Sequence, residues 1–356
     1  MSLPSVPSTP YGWAARPYRV TGDACPRRAA YCLVMTPPVR FGVVHDFRCP
    51  PGSAHTMQDV YRETLEQVAM LDEAGLDMTW FSEHHFMDDG YLPSVVPVAG
   101  AVAAITKRMR ISTDVALAPF QHPLRFAEDV AVLDQISNGR MEIGLGLAYA
   151  PHEFRTFGIP LKNRVSLTEE MVQILQLAWS GERFSFRGKR YQFDDVHITP
   201  HTVQPGGPPI WLATTSAASV ARAVRFGVNV LPQGDARVVL DEWRASSLAA
   251  GQQPDDRRVG IIRSVLVTDD PERDWPPLRQ AERYRVAVYA KLGEEAGPDS
   301  AGNLTGKERI PQRPIIGDVA TCVEELTSFI LDNGFTDVVS WGSAPGILPH
   351  SITPNL

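Results

Sequence analysis

From Val39 onward, short runs rich in β-branched residues alternate with stretches whose apolar positions recur every three to four residues, the pattern of repeated strand and helix units. Residues 39–44 (VRFGVV) predict a first strand and residues 56–75 a helix. On that helix Val60, Leu65, Val68, Ala69 and Leu71 are the apolar positions, and Gly75 supplies a stop. The pattern continues with a strand at 77–82, a buried helix at 95–106, a strand at 110–117, a helix at 123–137 opened by Pro123, and a strand at 140–147. The second half repeats it more loosely. A helix at 166–181 begins with a capping-box-like pair, Ser166 and Glu169, and strands follow at 208–214, 228–232 and 258–268, separated by helices at 216–227 and 237–250. Residues 271–310 are charged and broken by Pro and Gly, so they read as an insertion with one helical patch from Tyr284 to Leu292. A helix at 318–334 and an eighth strand at 336–341 follow.

Eight strands, each but the last followed by a helix, predict an α/β fold of the (β/α)8 TIM-barrel class in which the eighth helix is missing. A doubly wound open sheet would carry a glycine-rich dinucleotide turn after its first strand, and HDFRCPPG contains none. Residues 1–34 lack periodicity and an uninterrupted apolar segment, so they are expected to form a disordered N-terminal extension, with Met35 a natural start and 35–356 a single barrel domain. The 41 acidic against 34 basic side chains leave a net charge of −7, which disfavours nucleic acid as a partner. The longest weakly polar stretch, Tyr91 to Ile105, is interrupted by Pro93, Ser94 and Pro97 and is too short to span a bilayer. Cys25, Cys32, Cys49 and Cys322 have neither disulfide-framework nor zinc-knuckle spacing, so a reducing cytoplasm is the expected compartment.

In a barrel the reactive groups belong to the loops that leave the carboxyl ends of the strands. Those loops here hold His45 and Asp46, then Glu83, His84 and His85, then His122, then Tyr149, His152 and Glu153. A catalytic metal is not expected, because adjacent His84 and His85 project to opposite sides of an extended chain. One histidine acting as general base suits the set better, with Glu83 beside it to orient the ring. The opposite reading, a histidine that only bonds a loop carbonyl, is expected for at least one of the pair. The run TTSAAS opens a helix with four hydroxyls, and a helix amino terminus so furnished suits a cofactor phosphate.

Taken in order, EHHF (83–86), QHPLRFAEDVAVLDQISNGRMEIGLG (121–146), AYAPHEFRTFG (148–158), PPIWLATTSAASVARAVRFG (208–227) and PIIGDVATCVEELTSFILDNGFTDVV (314–339) resemble the bacterial luciferase-like monooxygenases. The resemblance implies a (β/α)8 barrel, commonly dimeric, that uses reduced flavin mononucleotide (FMN) or a deazaflavin coenzyme. It implies that His84 is the base beside the reactive flavin edge. Thr215, Ser216 and Ser219 match the phosphate-binding hydroxyls, and Thr113, Asp114 and Val115 match the segment that backs the flavin ring, often through a non-prolyl cis peptide. Two departures stand out. Where the family often has an arginine that grips the phosphate, this chain has Leu147, two residues before Tyr149. The resemblance also implies a final barrel-closing helix after APGILPHSITPNL (344–356), which is expected to be missing here.

The resulting expectation is a two-component monooxygenase in the cytoplasm, a homodimer that takes reduced FMN from a separate flavin reductase and uses O2 on a small organic substrate. Hydride transfer from a reduced deazaflavin is the alternative within the family, and a non-catalytic flavin-binding protein is the alternative of another class.

Overall fold

The computed structural model describes residues 38–233, 236–297 and 313–355. The expected N-terminal extension, Met35 and the end of the insertion at 298–310 lie outside the described residues. The first half of the chain runs β1 (Arg40–His45), α1 (Met57–Ala74), β2 (Met78–Phe81), α2 (Val95–Ile105), β3 (Arg110–Thr113), β4 (Ala116–Leu117), α3 (Pro123–Ser137), β5 (Ile143–Gly146) and α4 (Pro151–Thr156). The next part is α5 (Arg164–Ala178), β6 (Phe184–Arg187), β7 (Gln192–Val196), β8 (Ile210–Thr214), α6 (Ala217–Phe226), β9 (Asn229–Pro232) and α7 (Ala236–Ala249). Last come β10 (Gly260–Ile262), β11 (Val265–Val267), α8 (Pro271–Ala296), β12 (Ile315–Gly317), α9 (Val319–Asn333) and β13 (Asp337–Trp341).

Two parallel sheets carry the fold, in the orders β10-β13-β1-β2-β3 and β4-β5-β8-β9. Parallel bridges between Ile111 and Met141 and between Val230 and Val259 join the sheets at both seams. This is the α/β architecture of the TIM-barrel type, with strand carboxyl ends gathered on one face. An apolar layer of Val44, Met78, Trp80, Trp211, Leu231 and Val339 fills the space between the strands. Gly260 lies against that layer because a Cβ there would come within 2.6 Å of Trp80 and 2.7 Å of Leu231. Towards the amino ends of the strands, Arg40, Arg110 and Arg258 surround Glu142 and Asp337. Trp211 Nε1 donates to Glu142 Oε2 at 2.8 Å, tying the apolar layer to the ionic one. Burial alone would raise the Glu142 pKa, but Arg110 and Arg40 hold it below the ordinary value.

Local chemistry explains where elements start and where the sequence reading goes astray. Thr56 and Asp59 form a reciprocal capping box at α1, and Gly75 ends that helix in the left-handed conformation at φ 99°. Ser166 and Glu169 do not cap α5, which already begins at Arg164; Glu169 instead reaches Arg222 and Arg225 of α6. The expected third strand divides into β3 and β4 at the cis peptide bond between Asp114 and Val115. The last long strand divides into β10 and β11, and β11 pairs with β12. The insertion is also more regular than its sequence implies, because α8 runs unbroken for 26 residues from the N-cap Asp270, with Pro276 and Pro277 inside it. Among the described residues no α-helix follows β13, and no helix is long and apolar enough to cross a membrane. Residues after β13 form short 3-10 turns over α1, where Gln67 Nε2 donates to Gly342 O at 2.8 Å and to Thr353 Oγ1 at 2.9 Å.

His45, at the end of β1, is fully buried against Phe47 and Phe81, and Gly342 packs so closely that a Cβ there would lie 2.3 Å from its Cε1. Neither ring nitrogen has a hydrogen-bond partner. Burial therefore lowers its pKa from the ordinary 6.5 to about 4, against a smaller upward pull from Asp46. A histidine whose folded pKa is depressed costs stability as pH falls, because the unfolded chain binds the proton first. The loss begins near pH 6.5 and is complete near pH 4, about 3 kcal/mol in all. His45→Phe removes this term. Denaturation midpoints measured from pH 7 to pH 4 should show the variant losing less stability than the parent in acid, whereas parallel curves would contradict the buried neutral imidazole.

Candidate functional site

At the carboxyl ends of β1 and β2 the chain is stitched together by its backbone: Ser82 N donates to His45 O, Leu92 N to Asp46 O, and His84 N to Leu92 O, all at 3.0–3.1 Å. These bonds fix the path of residues 82–85, and the two histidine rings diverge, His84 toward Tyr91, Tyr149 and Tyr289 and His85 toward Phe120 and Phe157. Glu153 from α4, fully buried, meets both. Its Oε1 lies 2.9 Å from His84 Nδ1 and accepts the backbone N–H of His85 at 2.8 Å. The amide can only donate, so Oε1 accepts that bond, and with Glu153 ionised it accepts the second as well, from a proton on His84 Nδ1. His84 Nε2 is then the ring's lone-pair nitrogen.

Glu83 does not orient His84, which corrects the expectation based on adjacency. Glu83 and His85 pair with each other instead, with Glu83 Oε1 2.8 Å from His85 Nε2 and 3.3 Å from the Gln121 amide nitrogen. The His85 ring is packed edge-on against Phe120 and Phe157. His85 is thus the histidine with a packing role, and His152 Nε2 lies 3.2 Å from its carbonyl oxygen.

Around His84 the walls are aromatic: Tyr91, Tyr149 and Tyr289 present rings at centroid distances of 4.9, 5.7 and 6.1 Å. Tyr91 OH donates to Ser82 Oγ at 2.6 Å and lies 2.8 Å from Tyr289 OH, so Tyr289 donates to it. The buried Arg48 guanidinium lies 4.2 Å from the Tyr91 ring centroid and 5.0 Å from that of Tyr289. It is 3.3 Å from Asp46 and 3.7 Å from Asp89. Burial would lower its pKa, but Asp46, the two tyrosines and Asp89 together raise it. Tyr289 belongs to α8, and so does Arg285, which donates to Asp46 at 3.1 Å and to the Ser343 carbonyl at 2.8 Å while lying over the Trp341 ring. Tyr284 OH donates to Asp89 at 3.2 Å. The insertion therefore supplies one wall of the site. Sequence reading placed Glu153 in the right loop without giving it a role and had no signal for Arg48, Tyr91, Arg285 or Tyr289, whose function depends on tertiary contacts.

The remaining expected residues occupy the same face with unequal freedom. Thr113 spends its hydroxyl on β5, donating to Gly144 O at 2.6 Å and accepting the Gly144 N–H at 3.0 Å. Asp114 is buried at the end of β3, and burial pushes its carboxyl up to about 7. Val115 packs against the apolar layer below. Leu147 and Tyr149 are both half-buried beyond β5. Thr215, Ser216 and Ser219 do meet at the start of α6, but Ser219 Oγ accepts the N–H groups of Thr215 at 2.8 Å and of Ser216 at 2.9 Å, completing a capping box with Ser216. Thr214 Oγ1 beside them is buried and without a partner. Among the described residues no group of three or more His, Cys, Asp or Glu side chains is arranged to hold a metal ion.

The chain is 29% identical over 224 residues to the oxygenase component of a flavin-dependent trigonelline monooxygenase from Acinetobacter baylyi, covering 61% of this chain and 62% of that protein. It is 26% identical over 300 residues to an F420-dependent glucose-6-phosphate dehydrogenase from Beutenbergia cavernae, covering 78% and 86%. Matches to the first curated relatives span less than two-thirds of their length. In fold it is similar to the FMN-complexed oxygenating constituent of 3,6-diketocamphane monooxygenase from Pseudomonas putida, with a TM-score of 0.72 at 19% identity and coverage of 89% and 96%. The family model for luciferase-like monooxygenases matches residues 39–330, so this chain belongs to the luciferase-like monooxygenase family.

Proposed function

We propose that this chain is the oxygenase component of a two-component flavin-dependent monooxygenase, which takes reduced FMN from a separate reductase and inserts one oxygen atom of O2 into a small organic substrate. The observation that carries the reading is the His84 and Glu153 pair, a histidine whose Nδ1 lies 2.9 Å from a buried carboxyl oxygen, so that an ionised Glu153 would hold the Nδ1 proton and leave Nε2 as a base beside three tyrosines. The reading takes the strand circuit as a closed barrel, and it includes a homodimer in the cytoplasm.

The donor set at α6 fits a phosphate monoester. Thr214 Oγ1 is a buried hydroxyl that lacks a partner, and the first-turn N–H groups of a helix have none within the helix. Thr215 and the N–H groups of Ala217 and Ala218 would hold the phosphate, with Ser216 and Ser219 shaping the cap. Leu147 adds no charge there. Asp114 and Val115 would back the flavin ring, with Thr113 bracing them against β5.

Reduced flavin supplies the electrons that activate dioxygen. The work of the protein is to control protons and water. His84 Nε2 accepts a proton from the reacting groups, and the Glu153 carboxylate stabilises the imidazolium that results. Arg48, Tyr91 and Tyr289 keep solvent from that side of the ring, which limits unproductive loss of the electrons to hydrogen peroxide. Hydride transfer from a reduced deazaflavin is the second reading, favoured by the similarity to the F420-dependent dehydrogenase.

Anaerobic titration with reduced FMN, reduced flavin adenine dinucleotide and a reduced deazaflavin distinguishes these readings. FMN should bind most tightly, because the proposed α6 site takes one phosphate and the sequence carries no dinucleotide turn after β1. Binding of the deazaflavin alone would replace the main reading with the second. In stopped-flow mixing of the reduced-flavin complex with O2 and substrate, His84→Ala should cut oxygenated product by about 10² to 10⁴ and divert electrons to hydrogen peroxide, while reduced-flavin affinity stays close to the parent's. His85→Ala should instead lower stability by about 1–3 kcal/mol through the stranded Glu83, with a smaller effect on product. Equal product yield in His84→Ala and the parent would remove His84 from the mechanism.

A further inference from the structure

A second histidine pair lies away from the mouth, in the segment that leaves β7 and precedes β8. His197 and His201 are both exposed, and their Nε2 atoms face each other at 3.2 Å with the rings inclined at 75°. The segment is tied down from His201 onward. The Gln135 amide in the last turn of α3 donates to the His201 carbonyl at 2.8 Å, and Asp134 accepts the N–H groups of Val203 at 2.8 Å and Gln204 at 3.0 Å. The last turn of α3 lies at the amino ends of the strands, so the pair is on the face opposite the His84 site.

Two imidazoles can approach in this way for one of two reasons. Either one ring donates its Nε2 proton to the other, which requires opposite tautomers, or both nitrogens direct lone pairs at a shared cation. A spacing of 3.2 Å serves a hydrogen bond and also admits the second. With metal–nitrogen bonds of about 2.05 Å, two nitrogens 3.2 Å apart subtend an angle of roughly 100° at the ion, between square-planar and tetrahedral geometry. We propose that His197 and His201 form a two-imidazole chelate for a borderline divalent transition ion such as zinc, with water in the remaining positions. Water must complete the shell, because no third His, Cys, Asp or Glu joins the pair among the described residues. The site is independent of the flavin reading and would hold whichever cofactor the mouth takes.

Calorimetric titration of the full metal-free chain with Zn2+ alone, any polyhistidine tag removed, tests the proposal. Either His197→Gln or His201→Gln should weaken one binding event at least about tenfold, since a chelate loses its second ligand with the first. Their melting temperatures without metal should match the parent's, because both side chains are solvent-exposed. Imidazole 15N spectra of the parent keep the test independent of the variants: Zn2+ should shift Nε2 of both His197 and His201 together. No detectable Zn2+ binding, unchanged affinity in both variants, or shifts confined to other histidines would each overturn the chelate and leave the pair as a hydrogen bond between rings.

Discussion

The site depends on one buried acceptor. Glu153 Oε1 binds the side chain of one histidine and the backbone of the next, so a single carboxylate fixes both the His84 ring and the path of the chain through His85. A buried carboxylate is costly unless it is paired and hydrogen-bonded, so α4 and the segment after β2 must come together for either to be stable. The same bond decides the chemistry. With Nδ1 committed to Glu153, the ring faces its surroundings through Nε2, and the tyrosines decide what reaches it.

Charge around that ring is arranged in two separate groups. At the mouth, Asp46 and Asp89 enclose Arg48, and Asp46 is shared with Arg285 of α8. At the amino ends of the strands, Glu142 and Asp337 serve Arg40, Arg110 and Arg258. Between them lies the apolar layer with Trp80 and Trp211, 6.1 Å apart. Breaking either group would leave a buried ion uncompensated, which is more expensive than the net value of any one pair. The fold thus keeps a rigid ionic base and an apolar middle beneath a mouth whose ion pairs also recruit the insertion.

Much of the scaffold was legible in the sequence. The helices at 57–74, 95–105 and 123–137 fall within a residue or two of their expected ends because apolar spacing, Gly75 and Pro123 act locally. The β6 and β7 hairpin escaped notice since its strands are short and partly exposed, and only the Tyr284–Leu292 part of α8 was read as helical because two interior prolines and many charges conceal the rest of a helix that tertiary contacts support. In the site, His84 and the hydroxyls at α6 were visible as residue types in the right loops. The partner of His84 was not, because sequence adjacency favours Glu83 while the fold supplies Glu153 from 69 residues away. Alternation along an extended segment would have separated Glu83 from His84, and that was the available signal.

The most direct test of the account is the tautomer of His84. In 15N spectra of the imidazoles of the flavin-free protein, taken well above the ordinary imidazole pKa of about 6.5, His84 should carry its proton on Nδ1 and leave Nε2 bare. A His84 ring protonated on Nε2 under those conditions would contradict the assignment of Glu153 as its partner, and with it the proposal that Nε2 is the base of the site.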